Sequence, residues 1–102
     1  MENMESIREY ILNSLNERGI CVPEEYREVF ENHITVLADR ISNNECVNID
    51  VTEMENELKE ENLQLAQEVL EPVFTKFNIE DRKAETALLA LYINIAKEGG
   101  IN

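Results

Sequence analysis

The chain contains one histidine, His33, and an arginine, Arg40, stands seven residues beyond it. Seven residues is about two turns of α-helix, so in a helical stretch both side chains share one face. An imidazole nitrogen is a nucleophile towards phosphorus, and a guanidinium on the same face is suited to hold phosphoryl oxygens through paired N–H donors. The bland alternative is a partly buried histidine that hydrogen-bonds a neighbour beside the apolar residues Phe30, Leu37 and Ile41. Other chemistry has little to stand on. With 22 Asp and Glu residues accidental carboxylate pairs are inevitable, but a general acid or base needs one of them desolvated in a cleft, and most fall on polar helix faces. There is no His/Cys cluster, calcium-loop pattern or Gly-rich phosphate loop, so neither a metal nor a cofactor is expected. Cys21 and Cys46 have no CxxC partner and read as free thiols in loops, and nothing local pairs either with His33 as a nucleophile. The chain is not expected to be an enzyme.

Five apolar patterns position these residues. Met4, Ile7, Ile11, Leu12 and Leu15 predict a helix over residues 2–17, ended by Gly19. Pro23 suits the first position of a second helix, with Glu24 and Glu25 at its positive end, and Tyr26, Phe30, His33 or Ile34, Leu37 and Ile41 form its apolar face up to Ser42-Asn43-Asn44. Val47 to Val51 alternates with period two but has nothing to pair with, which predicts an extended loop. Thr52 and Glu55 have capping-box spacing before a short third helix that ends ahead of Glu60-Glu61-Asn62. A fourth stripe runs from Leu63 to Phe77, with Pro72 expected to kink it or split it near Glu68. Asn78 and Asp81 resemble a helix start, after which Ala84, Ala87, Leu88, Leu91, Tyr92 and Ile95 line a final helix stopped by Gly99-Gly100. The fold class is all-α, a compact five-helix antiparallel bundle, with Phe30, Leu37, Phe74, Leu88 and Leu91 largely buried.

The length of 102 residues suits one domain, 1–102, and a net charge of -13 spread evenly along the chain leaves no basic face for phosphate backbones. Direct nucleic-acid binding is therefore not expected. No apolar run is long enough to span a membrane, and Met1-Glu2-Asn3-Met4-Glu5 lacks the features of a signal peptide, so the expected location is cytoplasmic.

The run His33-Ile34-Thr35-Val36-Leu37-Ala38-Asp39-Arg40-Ile41 resembles the first signature helix of the PTS regulation domain (PRD). This is the helical module with which bacterial sugar-operon antiterminators and activators receive phosphate from the phosphotransferase system. Glu85-Thr86-Ala87-Leu88-Leu89-Ala90-Leu91-Tyr92-Ile93 is similar to the second signature, at a separation of 59 residues between His33 and Tyr92, and the likeness covers nearly the whole chain. The resemblance implies a five-helix bundle that forms a homodimer, with His33 as phospho-acceptor and Arg40, Glu85 and Tyr92 around it. It implies a phosphocarrier or regulator protein of that system as partner. Where the family usually carries its second phosphorylatable histidine, this chain has Tyr92, which cannot form a phosphohistidine. Tyr92 then faces His33, its hydroxyl orienting the imidazole or capping a buried polar group. An acidic chain of this length has no room for a nucleic-acid-binding domain, so it looks like a stand-alone regulatory module acting on carbohydrate-operon transcription through a partner. The alternative is an interaction module of the same fold that is not phosphorylated.

Overall fold

The structure, a computed structural model, describes residues 3–47 and 49–97. Five helices follow one another: α1 (Met4–Glu17), α2 (Glu24–Ser42), α3 (Thr52–Glu57), α4 (Glu60–Lys76) and α5 (Lys83–Lys97). No strand forms among the described residues, and the stretch around Val47 is irregular. The connections α1–α2 and α4–α5 are short, which sets each pair antiparallel; α1 then packs on α4 and α2 on α5. The apolar stripes meet in one main cluster that includes Ile11, Phe30, Ile34, Leu37, Leu70, Phe74, Leu89 and Ile93. A smaller cluster of Val51, Ala84 and Ala87, with Val47, Met54 and Leu58 against it, holds the α2–α3 connection and α3 onto the start of α5.

Three helices end in the same way. Gly19, Asn44 and Asn78 take positive φ after α1, α2 and α4, and the next residue donates its N–H back across the turn: Ile20 to Leu15 O at 3.0 Å, Glu45 to Arg40 O at 2.8 Å and Ile79 to Phe74 O at 2.9 Å. These bonds satisfy carbonyls that the helix end leaves without partners, and glycine or asparagine meets the left-handed conformation at least cost. Asn78 therefore closes α4 and does not cap α5, which begins at Lys83. Asparagine suits either place, and the apolar pair Phe74 and Ile79 across the turn decides between them.

Other local expectations need correction. Pro23 sits just outside α2 at its N-cap, with ψ of 144°, because the cap residue is extended and proline's fixed φ fits that geometry. Thr52 makes no capping box: its N–H and hydroxyl both donate to Asp50 Oδ1, at 3.0 and 2.7 Å, and Val51 occupies the cap. α4 starts at Glu60, three residues before the apolar stripe, and runs unbroken through Pro72, where buried Val69, Leu70, Val73 and Phe74 hold both sides of the lost hydrogen bond in one helix.

Phe30, Leu37 and Phe74 are buried as expected, but Leu88 and Leu91 are only half-buried. The inward face of α5 is Thr86, Leu89, Ala90, Ile93 and Ala96, because this helix is apolar on nearly every side and packing selects one of two acceptable stripes. The expected stop at Gly99-Gly100 lies outside the described residues.

Candidate functional site

Two helices present matching spacings. α2 carries His33 and Arg40 seven residues apart, and α5 carries Glu85 and Tyr92 seven residues apart. Across the α2–α5 contact they form two rungs, Arg40 with Glu85 and His33 with Tyr92, as antiparallel neighbours with a two-turn repeat must.

The first rung is a fork. Arg40 Nε donates to Glu85 Oε2 and Arg40 Nη2 to Glu85 Oε1, both at 2.8 Å. The Glu85 side chain is 0% exposed and that of Arg40 23% exposed. A carboxylate is tolerated at such depth only when paired and hydrogen-bonded, and Oε2 also accepts the Val47 amide at 3.0 Å. Glu45 bonds back to the Arg40 carbonyl in the turn that ends α2, which turns the chain so that Cys46 and Val47 meet Glu85. The hydrogen bond to Glu85 holds the Arg40 guanidinium above its ordinary pKa, against the opposing effect of burial. Burial, with the Glu85 charge second, pushes the Cys46 thiol up to about 11.

The second rung is a stack. The rings of His33 and Tyr92 lie 4.3 Å apart between centroids and 12° from parallel. This is face-to-face contact, so the Tyr92 hydroxyl does not orient the imidazole by an in-plane hydrogen bond. Both residues are half-buried, and neither ring nitrogen of His33 has a hydrogen-bond partner among the described residues. Burial raises the Tyr92 phenol above its ordinary pKa while the nearby Arg40 charge lowers it, so Tyr92 touches His33 and senses Arg40.

All four residues singled out in the sequence thus come together on α2 and α5, but in cross-helix pairs. No hydrogen bond joins His33 to Arg40 among the described residues, and Arg40 is turned to Glu85. Sequence reasoning missed the Val47 amide and the closeness of Cys46 to Glu85. A backbone donor leaves no mark in the residue types, so no signal pointed to Val47.

A family model, the PRD domain, matches residues 9–96, a span that takes in both rungs and nearly the whole chain. The chain belongs to the PRD domain family. No curated protein and no solved structure matches it. The PRD domain is a regulatory family. No group of three or more His, Cys, Asp or Glu side chains able to hold a metal lies among the described residues of this PRD domain, and none of its described helices is long and apolar enough to cross a membrane.

The two thiols of this PRD domain are free, Cys21 exposed and Cys46 half-buried, and they are expected to react differently. With a pKa of about 11, Cys46 is thiolate in about one molecule per thousand at pH 8, so iodoacetamide should modify Cys21 first and Cys46 only as the pH climbs towards 11. The raised value also means that the folded state holds this proton more tightly than the unfolded one. Its contribution to stability is complete below pH 9 and is lost as the pH rises from 9 to 11. Mass spectrometry of alkylated peptides checks the first point; equal rates at pH 8 contradict it.

Proposed function

We propose that this PRD domain receives a phosphoryl group on His33 from a phosphocarrier protein of the phosphotransferase system, and that the modified domain acts through a partner protein on carbohydrate-operon transcription. The observation that supports this most directly is the imidazole itself: half-buried, seated on Tyr92, with ring nitrogens that accept and donate no hydrogen bond among the described residues. In the transfer the carrier's phosphorus–nitrogen bond breaks as a new one forms to a ring nitrogen of His33. Each imidazole keeps the proton on its other nitrogen. Arg40 uses one Nε–H and one Nη2–H on Glu85, which leaves further guanidinium donors for phosphoryl oxygens. With a carrier of that system as donor, the domain works in the cytoplasm. The test is incubation with a reconstituted carrier chain and assay for acid-labile phosphate on His33.

The second reading is an interaction module of the same fold without phosphorylation. Two observations favour it: Arg40 is already engaged by Glu85, and Tyr92 cannot serve as a second phosphohistidine. A complete carrier chain that leaves His33 unmodified selects this reading.

In either case the domain is proposed to pair with a second copy of itself. Val29 and Val36, one turn to either side of His33, are 48% and 45% exposed, and Leu88, Leu91, Tyr92 and Ile95 on α5 are half-buried. These residues are apolar side chains left partly open to solvent on a chain of net charge -13, where a second copy can cover them with the acids kept at the rim. Light scattering is expected to show a dimer that strengthens with moderate salt, because screening reduces the repulsion between the two copies. Val36→Asp is expected to give monomers of unchanged helicity. A monomer at every concentration removes the proposal.

A further inference from the structure

Glu85 joins two parts of the structure at a single atom: its Oε2 accepts both from Arg40 Nε and from the Val47 amide. The chain that lies against this buried carboxylate, Cys46 and Val47, packs at the edges of the main and small apolar clusters, and α3 beyond it buries no residue. A segment that buries so few side chains is the kind that opens without global unfolding. Arg40, meanwhile, lies about 10 Å along α2 from His33. The extended arginine and an imidazole lengthened by a phosphoryl group together span that distance, and Tyr92, stacked on His33, already lies within the field of the Arg40 charge.

We propose that the Arg40–Glu85 pair is a latch: a phosphoryl group on His33 draws Arg40 away from Glu85, and the carboxylate left without its cation is hydrated by the lifting of Cys46, Val47 and α3 from α5. Glu85 is then a positioning residue, which holds Arg40 in the unmodified state and converts its departure into movement of the connection. A phosphoryl group brings roughly two negative charges, a stronger claim on a guanidinium than one carboxylate. A fully buried carboxylate deprived of its partner cannot stay dry, and the segment over it is the part that can move. The latch rests on the phosphoryl reading of His33 for its trigger and on the Glu85 contacts for its mechanism.

The test is residue-resolved amide hydrogen exchange at Val47, measured against Leu37 and Leu70, whose amides in the middle of α2 and α4 report global unfolding. His33 is loaded with phosphoramidate, a small donor whose phosphorus–nitrogen bond breaks with release of ammonia as the bond to the imidazole forms. Loading is expected to raise Val47 exchange about tenfold or more beyond any change at Leu37 and Leu70. Arg40→Met is expected to do the same without phosphate. Adding Glu85→Gln to Arg40→Met is expected to restore protection, since the buried group is then neutral and its oxygen still accepts from Val47. A loaded wild-type chain with Val47 unchanged overturns the latch, as does a double variant no better protected than Arg40→Met. A His33 that refuses phosphoramidate overturns it too, because the competing anion has nowhere to sit. If carrier proteins fail to load His33 while phosphoramidate loads it and frees Val47, the proposed function fails and the latch stands.

Discussion

Arg40→Ala is expected to destabilise the domain by about 3–5 kcal/mol, the usual cost of stripping a buried charge of its partner. The asymmetry of the pair makes this specific. Glu85 is completely buried and reaches water only if the chain over it lifts, whereas the Arg40 side chain is 23% exposed and reaches it directly. Glu85→Gln should therefore cost roughly half as much or less: the amide oxygen still accepts from Val47, and the freed guanidinium turns to solvent. Combining the two substitutions should recover part of what Arg40→Ala loses, since no uncompensated charge remains inside. Against a total stability of about 5–15 kcal/mol for a domain of this size, the single variant is partly unfolded at moderate temperature. Urea denaturation of the three variants checks the order. Equal losses for Arg40→Ala and Glu85→Gln would show that the pair acts by packing and not by charge.

His33→Ala is expected to abolish incorporation of acid-labile phosphate from a carrier chain, with helicity unchanged. The effect is total because the chain has no other histidine, and the fold survives because His33 is only half-buried, with its ring on Tyr92 and not among the fully buried residues of the main apolar cluster. Placing a histidine on the opposite side of the rung, Tyr92→His in the His33→Ala background, should restore an acceptor at the same α2–α5 junction. Acid lability matters because a phosphoryl group on nitrogen is lost in acid, whereas one on a tyrosine or serine oxygen survives. Phosphate retained by His33→Ala in acid-labile form would contradict the assignment of the site.

The periodic stripes, the all-α class and the seven-residue spacing of His33 and Arg40 were legible in the amino-acid sequence because each is a property of one helix and its own neighbours. So was the stop at Gly19, where only the residue type is needed to see that a left-handed turn is cheap. Asn78 was not legible in this way: the same side chain serves at a helix start or in the left-handed turn after a helix, and the contact of Ile79 with Phe74 settles which. In α5 both Leu88 with Leu91 and Leu89 with Ile93 form acceptable apolar stripes, and only packing against α2 and α4 sends the second pair inward. The candidate site divides along the same line. Motif and spacing single out His33, Arg40, Glu85 and Tyr92, yet they do not say that Arg40 is held by Glu85 while Tyr92 lies flat on His33. Those pairings, and the Val47 amide that completes the Glu85 shell, join residues 38 to 59 positions apart. Tertiary structure alone decides them, because a helix dictates which side chains share its face but not which neighbour that face will meet.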